Sequence, residues 1–339
     1  MSGTVLPMKK LLPLAALALL SVVQTSPVLA QASAKQVAGL AQPSPLAPSE
    51  IVAAAAKADW VTIAPADLLV MDLAPDAHGT ARRMVIQLMP APFSQTWVSN
   101  IRKLAAAHWW DGLSINRVQD NYVVQWGDGD AEDAKKAKPL PPGLLTTSEN
   151  EYAVSARECR ETAQGCKGPP LPLAATQPGI APDPYARQAG FFRGWPIAGD
   201  AQYDWPVHCY GMVGVGRDLP PNAGSGAELY VVIGHAPRHL DRNIALVGRV
   251  IEGIEHLSSL PRGTAGLGFY EKPEQRTGIR AIRLGNEVAG LPIYEYLSTD
   301  SASFARYADA RANRRDAFFV QPAGGADICN VPVPVRRAK

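Results

Sequence analysis

The sequence predicts a mainly β fold, on three observations. Gly and Pro are abundant, at 29 and 30 of 339 residues, which favours turns and short strands over long helices. Short apolar runs bounded by turn residues recur at Leu68–Leu73, Met84–Leu88, Tyr122–Trp126, Gly211–Gly216, Leu229–Ile233, Ile244–Val250 and Gly278–Leu284. Apolar residues make up 47% of the chain and charged residues 19%, so a packed core is feasible and disorder throughout is excluded.

Taken in order, the chain begins with an address. Lys9 and Lys10 precede an apolar run, Leu11–Val23, and Val28-Leu29-Ala30 resembles a small-residue cleavage site, so residues 1–30 read as an export signal. The run falls short of the ~20 residues a membrane-spanning helix needs, so no integral membrane segment is expected after cleavage. Met8, directly before the lysines, is an alternative start. Residues 31–66, rich in Ala, Pro and Ser, read as a spacer with a short helix at Ser49–Lys57 capped by Ser49.

The main domain is expected over residues 67–287. Leu68–Leu73 and Met84–Leu88 read as strands joined by a hairpin-type loop holding Pro75, Asp76 and Gly79. Ser94–Ala107 reads as a helix, because Trp97, Val98, Ile101, Leu104 and Ala105 recur at helical spacing. Tyr122–Trp126 reads as a strand covered on both faces, since Val123 and Val124 are both apolar. A charged and Pro-rich insertion over about 129–205 reads as loop, with one strand at Glu151–Ser155. Strands at Gly211–Gly216, Leu229–Ile233 and Ile244–Val250 follow, then a short helix in Ile251–Leu260 stopped by Pro261, then a last strand at Gly278–Leu284. Residues 288–339 read as an extension carrying a helix at Ser301–Asp316.

Charge and cysteine usage exclude several classes. The formal charge of +2 falls to zero once Lys9 and Lys10 are removed with the signal, so nucleic acid is not an expected partner. The four Cys allow three pairings. Cys159–Cys166 is the simplest local clip, and it leaves Cys209–Cys329. That spacing fits no zinc pattern and the six His are scattered, so no metal or other cofactor is expected. Gly211–Gly216 is not followed by a helix start and a Lys, so it is no phosphate loop. No Gly-x-Ser-x-Gly elbow supports a hydrolase.

Three blocks carry a family resemblance. His108–Asp128 reads HWWDGLSINRVQDNYVVQWGD, Gly211–Arg217 reads GMVGVGR, and Glu228–Val250 reads ELYVVIGHAPRHLDRNIALVGRV. In this order, after two strands and a helix, they resemble the cyclophilins over roughly Leu68–Glu287. The resemblance implies a closed eight-stranded antiparallel barrel with a helix capping each end. It implies a peptidyl-prolyl cis–trans isomerase acting on proline-containing polypeptides. With the export signal, those partners are unfolded or exported chains, the compartment is the periplasm or the outside, the role is assistance of protein folding, and the protein is expected to be a monomer.

Carried over position by position, Arg117 matches the family's catalytic Arg and Gln125 the Gln beside it. Tyr122 and Val123 match the usual Phe and Met of the proline pocket, and Tyr230 the Phe at its floor, with Val231 there if the register shifts by one. Asn116 replaces a His, Gly216 an Ala, and His239 a bulky aromatic before Leu240-Asp241. Ile244 replaces a His, and Glu228 stands where a Ser-Gln pair usually ends. The substrate-binding set implied is Asn116, Tyr122, Val123, Gly216, Glu228, Tyr230, His239 and Leu240. Asp111, Asp128 and Asp241 read as turn-formers. The rebuilt rim also admits a second reading, a proline-segment binding or chaperone module with little turnover.

Overall fold

The computed structural model describes residues 45–155 and 179–338. Residues 1–30, read above as an export signal, and Cys159 and Cys166 lie outside the described residues. Eight strands close into an antiparallel barrel: β2 (Leu68–Leu73), β3 (Arg82–Leu88), β4 (Ser114–Val118), β5 (Val123–Gly127), β10 (Met212–Val215), β11 (Leu229–Val232), β12 (Leu246–Glu252) and β13 (Thr277–Leu284). Their order around the barrel is β10-β11-β5-β4-β13-β2-β3-β12, with β12 pairing back onto β10. Inward residues such as Met71, Met84, Ile115, Val124, Trp126, Val213, Val231 and Leu246 share one core. Closure leaves the barrel no free sheet edge.

The first hairpin is fixed by local chemistry. In its loop the Asp76 side chain accepts from the His78 and Thr80 N–H groups, both at 2.8 Å, an Asx-type turn. Across the strands Asp72 faces Arg83 at 2.7 Å. The helix α2 (Gln95–Ala106) follows, with Ser94 as its N-cap. Trp97, Ile101 and Leu104 are buried against the barrel, and the Trp97 indole N–H donates to the Gly224 carbonyl at 2.8 Å. The second helix is reduced to a single turn, α3 (Glu255–Ser258), which buries Leu257.

Two features depart from the sequence reading. The first lies in the stretch predicted as a spacer. It holds α1 (Pro48–Ala53) and β1 (Trp60–Thr62). The α1 N-cap is Ala47, whose N–H is held by the Glu50 carboxylate at 2.7 Å, so Ser49 does not cap. β1 joins β14 (Tyr294–Leu297) and β15 (Val335–Arg337) in a sheet of order β1-β14-β15, which ties the segment before the barrel to the extension after it. Trp60 is buried there under the Arg336 guanidinium, 3.7 Å from the ring centre.

The second departure is in the insertion. It stays loop-like through about residue 148 and then builds a sheet. β6 (Val154–Ser155), β9 (Tyr203–Pro206), β8 (Trp195–Gly199) and β7 (Gln188–Phe192) lie side by side in that order. Trp195, Ile197 and Trp205 from this sheet are buried. Arg249 of β12 fastens it to the barrel, with one nitrogen on the Gly194 carbonyl at 2.6 Å and its guanidinium carbon 4.5 Å from the Trp195 ring centre.

The extension carries its helix where the sequence places it: α4 (Ala302–Ala312) starts at the Ser301 cap. Phe304, Tyr307, Ala308 and Ala312 enter the main core, with Phe304 edge-on to Phe191 at 5.0 Å. Cys209 and Cys329 form a disulfide with Cα atoms 5.1 Å apart. Among the described residues no helix is long and apolar enough to cross a membrane.

Candidate active site

Arg117 faces outward because β4 carries a bulge. Ile115 pairs with Trp126 while Arg117 pairs with Gln125, so one residue, Asn116, is extra. Without it Ile115 and Arg117 would share a face. With it, Ile115 and Val118 point into the core and Arg117 out. On β5 simple alternation puts Val124 and Trp126 inside, and leaves Val123 and Gln125 beside Arg117. On β11, Val231 points inside and Tyr230 out, which places Tyr230 in the cleft.

The outward side chains enclose a cleft of about 110 Å³ lined by Arg117, Tyr122, Val123, Gln125, Gly216 and Tyr230, with Leu240 and Ile244 completing its apolar wall. Val123, Tyr230 and Val232 form a separate small apolar cluster under Tyr122 and Ile244. His239 is exposed at the edge, its ring parallel to Tyr122 at 6.4 Å between centres.

The Arg117 guanidinium is held on several sides. Its Nε donates to the Leu267 carbonyl at 2.7 Å, one terminal nitrogen to Gln125 Oε1 at 3.3 Å, and the other to Gln119 Oε1. It lies between the Tyr122 and Phe269 rings, 5.6 and 5.4 Å from their centres, within cation–π range. Burial pushes its pKa below the ordinary arginine value, yet an arginine stays charged at any working pH. Among the described residues these bonds use three of its five N–H groups, leaving one on each terminal nitrogen for a ligand.

Next to the cleft lies a second, acidic one of about 520 Å³, whose lining includes Asn116, Gln125, Asp128, Glu228, Phe269 and Arg276. Asn116 spends its amide on structure: it donates to the Gly127 carbonyl at 3.1 Å and accepts from Ser114 at 2.6 Å. Glu228 lies over Gly127, where any Cβ would fall 2.0 Å from its carboxyl. Its Oε1 accepts from the Asp128 N–H at 2.7 Å, and its carboxyl accepts from Gln125. Gln125 is thereby oriented, its oxygen toward Arg117 and its amide nitrogen toward Glu228.

Burial pushes the Glu228 pKa up to about 7, with Asp128 adding repulsion against the hydrogen bonds. A carboxyl whose folded pKa is raised contributes its full stability below about pH 4.5 and loses it as pH rises through about 7. Glu228→Gln is expected to remove that loss. The variant should be more stable than the parent at pH 8 by about 2–3 kcal/mol, and little changed at pH 4.5. Urea denaturation at both values checks this, and parent and variant midpoints that coincide at pH 8 as they do at pH 4.5 would show the carboxyl to be solvated.

Several site groups have no signal in the sequence. Gln119, Leu267 and Phe269 frame Arg117, and the last two come from a loop far along the chain. His208 and Arg238 are buried, and Asp241, expected to shape a turn, is buried and bonded to both.

A family model described as "Cyclophilin type peptidyl-prolyl cis-trans isomerase/CLD" matches residues 76–284. Among solved structures, cyclophilin AquaCyp293 from Hirschia baltica aligns with a TM-score of 0.54 and 20% identity, covering 83% of this chain and 94% of that one. A cyclophilin type peptidyl-prolyl cis-trans isomerase from Cryptosporidium parvum aligns with a TM-score of 0.37 and 12% identity, covering 64% of this chain and 97% of that one. No curated protein sequence matches the chain.

Proposed function

The chain belongs to the cyclophilin-type peptidyl-prolyl cis–trans isomerase family, and from that premise we propose that it isomerises X-Pro bonds of exported polypeptides, as a monomer that assists their folding, with Arg117 as its catalytic residue. One observation supports the catalytic part most directly: a half-buried guanidinium with unspent donors stands in a cleft of about 110 Å³ that has an apolar wall of Val123, Tyr230, Leu240 and Ile244.

The reaction breaks no covalent bond. The barrier of ~18–20 kcal/mol is lost amide resonance, and an X-Pro bond crosses it in tens to hundreds of seconds unaided. As the amide twists, its nitrogen becomes pyramidal and gains a lone pair. A donor that meets this lone pair only in the twisted state binds the transition state preferentially. In this reading the proline ring rests on Tyr230 and Val123, against Leu240 and Ile244. Arg117 presents its two unspent N–H groups to the prolyl nitrogen and to a neighbouring carbonyl. Gln125 positions Arg117, and Glu228 positions Gln125.

Export rests on the Lys9-Lys10 signal pattern, and on the Cys209–Cys329 disulfide, which suits an oxidising compartment. The rebuilt rim at His239 and Ile244 supports the second reading, a binding module of low turnover. A protease-coupled isomerisation assay separates them: the first reading expects acceleration by the chain recovered outside the cytoplasm, beginning at Gln31. Proline-peptide binding without acceleration would leave the second, and an uncleaved cytoplasmic chain would remove the export part.

A further inference from the structure

Beneath the cleft runs a continuous chain of buried polar groups: Tyr230, His208, Asp241, Arg238 and Asp183. His208 Nε2 lies 2.9 Å from the Tyr230 hydroxyl, and Nδ1 lies 2.8 Å from Asp241 Oδ1. Asp241 Oδ1 also accepts from the His208 backbone N–H at 3.0 Å. Asp241 Oδ2 accepts from Arg238 Nε at 2.6 Å, and a terminal Arg238 nitrogen pairs with Asp183 at 2.8 Å. The His208 side chain is fully buried, and the side chains of Asp183, Arg238 and Asp241 are exposed by no more than 4%.

With His208 neutral, as its burial favours, donor and acceptor counting fixes the protons. A carboxylate only accepts, so His208 carries its proton on Nδ1, facing Asp241. Its Nε2 is then an acceptor, and the Tyr230 hydroxyl donates to it. The one proton of Tyr230 is spent away from the slot, and its ring is pinned at the hydroxyl end. Gly214, opposite Tyr230 in the ladder, makes this possible, because a Cβ there would sit 2.3 Å from the hydroxyl oxygen. Two members come from the insertion side: Asp183 lies within it, and His208 follows β9 by two residues.

We propose that His208 and Asp241 are positioning residues for the prolyl slot: through the Tyr230 hydroxyl they fix the ring that floors it, and through Arg238 they tie that floor to Asp183 of the insertion. The proposal rests on the isomerase reading above. It gives the insertion a part in turnover, as the outer anchor of a relay that ends under the proline ring.

Protonation of His208 would break the relay. Nε2 would become a donor, and the Tyr230 hydroxyl would have to turn its proton into the apolar cluster of Val123 and Val232. The charged and titratable groups that face His208 are Asp241, Arg238, His239 and Tyr230. Burial holds its pKa below the ordinary histidine value, aided by Arg238 and His239 and opposed by Asp241. Protonation of His208 is therefore expected to lower turnover in acid, below the ordinary histidine range and apart from the Glu228 titration at about pH 7.

The test measures kcat/KM against pH for the exported chain and for Tyr230→Phe, His208→Leu and the double variant, with the folded fraction of each taken from circular dichroism. Each single variant should lose about tenfold per folded molecule at pH 7.5, and the double should lose no more than the worse single. The acid fall should be present in the parent and absent from both singles. Tyr230→Phe removes one oxygen only, so it decides the matter should His208→Leu not fold. Unchanged turnover and an unchanged acid fall in Tyr230→Phe would overturn the relay while leaving the isomerase reading intact. No acceleration by the parent would remove that reading and the relay with it.

Discussion

Arg117→Ala is expected to lower kcat/KM for X-Pro isomerisation by at least about tenfold, or about 1.4 kcal/mol of transition-state stabilisation, with the barrel intact. Arg117 projects from the outer face of β4 and Ile115 and Val118 hold the core side, so its removal leaves the inner packing alone. Among the described residues that line the cleft, Arg117 alone is aimed by three hydrogen bonds and two rings. Arg217 also lines the cleft, but its Nε and one terminal nitrogen are on the Asn243 carbonyl, and the other is on that of Asp218. Arg117→Lys should recover little, because an ammonium cannot reach the prolyl nitrogen and a carbonyl together while keeping the Leu267 bond. Gln125→Ala should cost less than Arg117→Ala, since Leu267 and Gln119 still hold the guanidinium. A stopped-flow comparison of the three variants decides. Full activity in Arg117→Ala, or a larger loss in Gln125→Ala, would reverse the roles.

What the sequence makes legible is what chain-local periodicity and motif order can carry. Leu68–Leu73 is a strand with the bounds its apolar run suggests, and the helix after Ser94 shows its core stripe at Trp97, Ile101 and Leu104. The blocks around Arg117 and Tyr230 point to the cleft because strand pairing turns two distant runs into neighbours, Tyr230 facing Gln125. The insertion sheet stays hidden for a physical reason. β8 and β9 contain Pro196 and Pro206, which remove backbone donors and demote a run when read alone. Their stability comes from tertiary burial of Trp195, Ile197 and Trp205. The spacer fails similarly, because Trp60–Thr62 is a strand only by pairing with Tyr294–Leu297. The His208–Asp241–Tyr230 relay joins residues 22 and 33 positions apart, and no period marks such a set.

Removing the Cys209–Cys329 bridge is expected to have the largest effect on stability. The bridge spans 120 residues, and chain entropy for a loop of that length gives about 5 kcal/mol of stabilisation through the unfolded state. That compares with a whole-domain stability of about 5–15 kcal/mol. The loop it closes contains β10 to β14 and α4, so the cross-link restricts half the barrel together with the extension. The extension does not depend on the bridge for its contacts, however: Leu297, Phe304, Tyr307, Ala308, Ile328 and Val331 all bury side chains in the main core. The native state of a variant lacking the bridge should therefore keep its fold, and the loss should appear as a gain in freedom of the unfolded chain. Cys209→Ser with Cys329→Ser, compared with the parent by urea denaturation under oxidising conditions, should lose about 3–5 kcal/mol. The denaturant slope should rise, because an unlinked unfolded chain exposes more surface. A loss below about 1 kcal/mol at an unchanged slope would show that the unfolded chain is held together by other means, and would remove the bridge as a principal source of stability.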